Sequence, residues 1–223
     1  MNKYLPEYTS LFLEKYRELE RIKSVDEERY NRFRNTNMQI FELFRQARNC
    51  LTHTPKLNGD YPLLVSKDVL DALETYIKKM SLKVVDVAKP ISKLKTLDIN
   101  SPIKDALKLM KDNDFSHIPI FDKDHHLLHV VSERSIVSLL ADTGIVYDET
   151  TLLSEYKQYF VVANNKEEVY EYIARNSYAY EAKDIFNKYA EKGLKCGAIF
   201  VTENGKKEES VIAMLTSWDV FEI

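Results

Sequence analysis

The stretch DINSPIKDALKLM, Asp98 to Met110, recurs in diverged form as IARNSYAYEAKDIF, Ile173 to Phe186. Asn100 lies over Asn176, Ser101 over Ser177, Asp105 over Glu181 and Ala106 over Ala182. Two further blocks follow in the same order. HIPIFDKD (117–124) matches GAIFVTEN (197–204), each an apolar strand running into a turn. LLHVVSERSIV (127–137) matches VIAMLTSWDVF (211–221), each a strand leading into a helix start. One such match arises by chance, but three in a fixed order mark an internal duplication. Each copy reads strand, helix, strand, turn, strand, helix. Phe160, Val161 and Val162, with the helix-like run NKEEVYEY (165–172), read as an added linker before the second copy. EKGLKCG (191–197) lengthens the second copy's helix-to-strand passage.

Residues ahead of the duplication are helical in character. Leu11, Leu13, Tyr16, Leu19 and Ile22 recur near helical spacing among charged residues. Ser24 followed by Glu27 is a capping-box signal. The helix it opens is expected to reach about Leu51, with Phe33, Ile40, Leu43, Phe44 and Ala47 on its buried side. THTPKLNGDYP (52–62) is a loop. Ser66 then caps a third helix carrying Val69, Leu70, Leu73, Tyr76 and Ile77 on one face. The expected fold class is therefore α+β. A helical domain at 1–81 precedes two βαββα copies, at 82–146 and 147–223, packed as a pseudo-symmetric pair.

The 223 residues are 44% hydrophobic and 30% charged, as in soluble globular proteins. A net charge of -3 gives no global drive toward nucleic acid or membrane. Two cysteines, Cys50 and Cys196, make no disulfide framework and fit a reducing compartment. The start MNKYLPEYTS lacks the apolar run of a signal peptide. No stretch approaches the roughly 20 apolar residues of a membrane span. A cytoplasmic protein with no membrane partner is expected. His125, His126 and His129 cluster without a cysteine or carboxylate framework, so no metal site is expected.

The helix opening NSPIKDALKLM, the strand FSHIPIFD and the closing VIAMLTSWD resemble a tandem pair of CBS domains, the Bateman module, over about residues 82 to 223. The resemblance implies two units packed through their sheets. It also implies clefts that bind adenine nucleotides such as AMP, ADP, ATP, S-adenosylmethionine or cyclic di-AMP. Such modules regulate an attached domain through linkage rather than chemistry, so the nucleotide is a regulatory ligand and no cofactor is required. The family's ribose signature, Ser or Thr, two residues, then Asp, stands here as Thr216-Ser217-Trp218-Asp219. Asp219 would accept hydrogen bonds from both ribose hydroxyls, and Thr216 would meet a phosphate at the strand-to-helix junction. The first copy has Ser132-Glu133-Arg134-Ser135, with Ser135 in place of the aspartate, which weighs against that cleft as a ribose site. By the same resemblance, adenine falls to Ser101 and the strand edge Phe115, Ser116 and His117. The phosphates fall near Lys195, Cys196 and Gly197, with Lys195 as their partner. Plain structural readings stand beside these. A Thr-x-x-Asp at a helix start is also an ordinary N-cap. His117 also reads as a structural histidine, and both cysteines as packing residues.

Residues 1–81 resemble the HEPN superfamily of small helical domains through Arg48-Asn49-Cys50-Leu51-Thr52-His53. That resemblance implies a metal-independent ribonuclease, or a module that has lost activity and serves binding or homodimerisation. In the enzyme, His53 would be the general acid or base. Arg48 would stabilise charge on the phosphoryl group, and Asn49 would orient either. Five residues turn a helical side chain by roughly 140°. Arg48 and His53 thus share a face only if the helix ends between them, as Thr54-Pro55 suggests. Arg29, Arg32, Arg34, Arg45 and Arg48 hint at a basic patch for RNA, offset by Asp26, Glu27, Glu28 and Glu42. The plain alternative is a solvated helix end capped by Asn49 and His53. Three functions follow. The first is a nucleotide-binding regulator coupled to a helical homodimerisation or partner-binding domain. The second is a nucleotide-gated ribonuclease, and the third a structural dimerisation module with vestigial clefts.

Overall fold

The computed structural model describes residues 5–56, 58–144, 150–162 and 168–221. The fold is α+β, and the chain divides into two compact units, Met1–Ser81 and Leu82–Ile223.

The first unit contains α1 (Pro6–Val25), α2 (Glu27–Thr36), α3 (Met38–His53) and α4 (Lys67–Ser81). Phe12, Tyr16, Leu19, Phe41, Phe44, Leu51, Leu70, Leu73, Ile77 and Met80 make its core. On α1 the buried stripe is Phe12, Tyr16 and Leu19, spaced i, i+4, i+7. Leu11 points outward, because residues next to one another on a helix cannot share its buried line. Ser24 does not open the second helix. It lies inside α1, and its hydroxyl donates to the Arg21 carbonyl at 2.8 Å. The cap is Asp26, whose carboxylate accepts from the Arg29 N–H at 2.9 Å.

The expected single helix to Leu51 is also two helices. They break at Asn37, whose φ of -134° is not helical. Its side-chain amide donates to the Phe33 carbonyl at 2.9 Å and accepts from the Tyr76 hydroxyl at 2.8 Å. Those bonds hold the backbone out of the helix. The break resets the register, so Phe41 rather than Ile40 is fully buried and Leu43 is exposed. Ser66 caps α4 as expected, accepting from the Val69 N–H at 3.4 Å.

The second unit runs α5 (Val84–Val87), β1 (Lys89–Pro90), a 3-10 turn (Ile91–Lys93), α6 (Ile103–Asn113), β2 (His117–Phe121), β3 (Leu127–Ser132) and α7 (Glu133–Thr143). A second 3-10 stretch (Leu153–Tyr159), β4 (Val169–Ala174), α8 (Ala179–Glu191), β5 (Cys196–Thr202), β6 (Ala213–Leu215) and α9 (Ser217–Val220) follow. Strands β2 and β3 form an antiparallel pair. The larger sheet has the order β1-β6-β5-β4, with β4 parallel to β5 and the other pairs antiparallel. Val130, Tyr170, Ala198, Phe200, Val211 and Met214 join the two sheets face to face.

The run NKEEVYEY is not helical where it is described. Val169–Ala174 is a strand, while 165–167 lie outside the described residues. Its Tyr and Ile side chains suit a sheet covered on both faces, and pairing with β5 decides the conformation. Phe160–Val162 is not a spacer either, since Phe160 is fully buried beside Ile103, Ile118 and Leu139.

The halves exchange their leading segments. Leu82 accepts from the Ala179 N–H and Val84 donates to the Ser177 carbonyl, both at 2.9 Å. Val84 and Ala88 thereby enter the core of Ile173, Ala182, Ile199 and Leu215. In mirror fashion, Thr151 accepts from the Ile103 N–H at 2.9 Å and Leu153 donates to the Ser101 carbonyl at 3.0 Å. Leu153 and Phe160 thus complete the core of the first half.

Candidate functional site

One cleft gathers residues from three separate parts of the second unit. The first wall is the β6–α9 junction. Thr216 caps α9, and the Asp219 carboxylate accepts from the Thr216 N–H at 2.6 Å and its hydroxyl at 2.9 Å. Opposite is the α6–β2 corner. Asp114 ends α6 in the left-handed conformation, at φ 56°. That turn lets the Phe115 N–H reach the Met110 carbonyl at 3.0 Å and sends Ser116 and His117 into β2. The exchanged leader supplies Lys89, Leu94 and Lys95. Met214 and Trp218 complete a cavity of about 210 Å³. The Lys89 ammonium stands 4.6 Å above the Phe115 ring, a cation–π distance. Trp218 is 83% exposed at the rim. The cleft thus carries two carboxylates, Asp114 and Asp219, two ammonium groups, and the aromatic side chains of Phe115 and Trp218, a set suited to a ligand with hydroxyl, anionic and flat apolar parts.

Of the residues expected at this site, Asp219, Thr216, Phe115, Ser116 and His117 come together here. Ser101, Lys195, Cys196 and Gly197 do not line this cleft. The Ser101 backbone anchors the exchanged segment at Leu153. Lys195 is ion-paired with Glu168. Sequence reasoning missed Lys89, Lys95 and Trp218. Trp218 lay inside the quoted motif, but the lysines reach the site only through the exchanged leader.

Behind His117 lies a buried polar cluster. Glu168, 2% exposed, accepts from His117 Nε2 at 3.0 Å and from the Tyr170 hydroxyl at 3.0 Å. Because a carboxylate only accepts, the Nε2–H donates to it, and the Ser116 hydroxyl lies 2.8 Å from Nδ1 on the other side of the ring. Gly197 permits this crowding, since a Cβ there would lie 2.7 Å from His117 Nε2. Burial pushes the Glu168 carboxyl up, but the hydrogen bonds and charges of His117 and Lys195 outweigh it and hold it well below the usual range. Burial, with the Glu171 and Glu168 charges, pushes the Cys196 thiol up to about 12, so it is no reactive thiolate. A depressed carboxylate stabilises the fold above its ordinary titration range, and that contribution is lost as pH falls. The difference in urea midpoint between wild type and Glu168→Gln is therefore expected to be full at neutral pH. It should shrink as pH drops below roughly 4–5. A gap that stays constant down to acid unfolding would show that Glu168 is not held ionised.

In the first half, the position corresponding to the Thr216 motif is closed upon itself. Ser132 and Ser135 are each 1% exposed. The Ser135 N–H donates to Ser132 Oγ at 3.1 Å, and the Ser132 N–H to Ser135 Oγ at 2.9 Å.

In the helical unit α3 runs through His53, so no helix end separates Arg48 from it. The long arginine side chain nevertheless curls back. Its Nη1 lies 3.1 Å from Asn49 Oδ1 and 3.5 Å from His53 Nε2. Nη2 is ion-paired with Glu20 of α1 at 3.1 Å, and the guanidinium stands 5.8 Å from the Tyr16 ring centroid. His126 does have carboxylate neighbours, Asp122 and Asp124. Their contacts are those of a tight turn, with Asp122 accepting the Asp124 and His126 N–H groups. No described helix is long and apolar enough to cross a membrane.

Residues 84–142 match the CBS domain family, and this stretch of the chain is a CBS domain. A homoserine O-acetyltransferase of Methanobrevibacter ruminantium is 39% identical over 57 residues, 25% of this chain. The match spans only 12% of that enzyme's length. Among solved structures, the chain is similar to an acetoin utilization protein (AcuB) from Vibrio cholerae, with TM-score 0.46 and 21% identity over 63% of this chain and 88% of that one. It is also similar to CBSX2 in complex with AMP, with TM-score 0.44 and 15% identity over 63% and 94% of the two chains. The CBS domain of the bacterial CNNM/CorC family Mg2+ transporter in complex with ATP gives 0.43 and 15%, over 67% and 92%.

Proposed function

We propose that residues 82–223 act as a pair of CBS repeats, at 82–146 and 147–223, and bind one adenine nucleotide in the Asp219 cleft. The helical domain, 1–81, is the responding part, a homodimerisation or partner-binding module whose last residue, Ser81, is joined directly to Leu82. The observation that carries the reading is the facing pair of corners, Thr216–Asp219 and Phe115–His117, with Lys89 and Lys95 on the same cleft. The remaining acceptor positions of the Asp219 carboxylate take the ribose hydroxyls. Phe115 and Trp218 offer flat faces to the base. Lys89 and Lys95 serve the phosphates in place of Lys195, which Glu168 already holds. No catalytic step is assigned to Arg48, Asn49 or His53.

Calorimetry with AMP, ADP, ATP and cyclic di-AMP tests the reading. At least one is expected to bind, and Asp219→Ala to weaken it about 10- to 100-fold, the worth of hydrogen bonds to a charged group. Absence of binding by all four, or unchanged affinity in Asp219→Ala, would overturn the assignment.

A further inference from the structure

The duplication places Lys195, Cys196 and Gly197 where the first half has Phe115, Ser116 and His117. It likewise places Ser132 and Ser135 where the second half has Thr216 and Asp219. The Asp219 cleft therefore has a counterpart, built from Lys195–Gly197 and Ser132–Ser135. Tyr170, on β4, is buried, and its phenol donates to Glu168 at 3.0 Å. Three groups from separate segments converge on the Glu168 carboxylate: the His117 imidazole of β2, the Tyr170 phenol of β4 and the Lys195 ammonium just before β5. Buried carboxylates are rare unless paired, and this one has a donor set of the kind that recognises free carboxylates and phosphoryl groups.

We propose that His117, Tyr170 and Lys195 form an anion site whose resident ligand is the chain's own Glu168. The carboxylate closes the counterpart cleft from within. Because Glu168 is tethered through the backbone only, the three donors are complete without its side chain. The Lys195 side chain is half exposed, which gives a small anion a path from solvent. This site is independent of the Asp219 reading and would stand if that cleft bound nothing.

The test removes the tethered anion and offers a free one. Glu168→Ala, in the full chain, is expected to be destabilised. Sodium formate should then raise its thermal midpoint saturably by about 5 °C over sodium chloride at equal ionic strength, the gain from binding a ligand to the native state alone. Wild type, whose site is filled, should show no such rise. Neither should Glu168→Gln, which fills the space with a neutral amide, nor the Glu168→Ala, Lys195→Ala double variant. Inorganic phosphate in place of formate asks whether the larger anion fits as well. A Glu168→Ala protein that responds to formate no more than wild type overturns the proposal. So does one that stays unfolded in both salts, since the donors then make no site without the tether. An equal formate response in Glu168→Gln overturns it too.

Discussion

Gly197→Ala is expected to lower the thermal midpoint of the Leu82–Ile223 unit by about 10 °C, a loss of about 3 kcal/mol. The new methyl would lie 2.7 Å from His117 Nε2, 2.9 Å from Tyr170 Cε1 and 3.2 Å from Glu168 Oε2. None of these is the loose end of a flexible chain. His117 is held at both ring nitrogens, and Tyr170 and Glu168 are buried and bonded to each other. Relief of the clash therefore separates a buried carboxylate from its partners, which is costly because the charge is left uncompensated. Backbone strain adds nothing, since Gly197 is not among the glycines with positive φ. Gly193→Ala is the control. Its φ is 69° and no atom lies within 4 Å of the added methyl, so only the left-handed penalty of about 1 kcal/mol applies. Scanning calorimetry of the two variants checks the ordering. A Gly197→Ala protein that melts with wild type would show that the cluster has slack enough to absorb a methyl.

Phe44→Ala should cost the helical unit about 3–5 kcal/mol. Phe44 is fully buried, with ring centroids of Phe41, Tyr76 and Phe12 at 5.9, 6.2 and 6.4 Å. Its neighbours are supplied by α1, α3 and α4, so collapse into the void would need three helices to shift together. Small domains have total stabilities of about 5–15 kcal/mol, so the loss is a large share. Far-UV circular dichroism under urea should show helix signal melting at lower denaturant in the variant. Leu43→Ala, one residue earlier and 42% exposed, should move the midpoint by no more than about 0.5 kcal/mol. Similar losses in the two variants would mean that the register set by the break at Asn37 is wrong.

The α+β class was legible because Asp98–Met110 and Ile173–Phe186 keep the same polar punctuation, Asn100-Ser101 and Asn176-Ser177, just ahead of a helix. The strand β4 was not. Two glutamates before Val169 imitate a helix, and only the parallel partner Cys196–Thr202 overrules them. The break at Asn37 was hidden for a similar reason, since it depends on Tyr76, far along the chain. At the site, residues from one local motif or strand edge were found: Thr216, Asp219, Phe115, Ser116 and His117. Lys89 and Lys95 were not, because an apolar leader such as Val84–Ala88 satisfies the core of either half, and periodicity carries no label for which. Lys195 was read as the phosphates' partner because its own partner, Glu168, sits in the misread segment.

The exchange of leading segments fixes when this protein can finish folding during synthesis. Lys89 and Pro90 pair with Met214 and Ala213. The first strand to leave the ribosome in this unit thus waits for the last. At ordinary elongation rates that wait is on the order of ten seconds. The helical unit has all its own core residues by Met80 and is free to close long before. The nascent chain therefore spends most of its emergence with a folded head and an unseated leader, Val84 and Ala88 exposed. That interval is where this sequence is most open to mispairing with a second copy of itself.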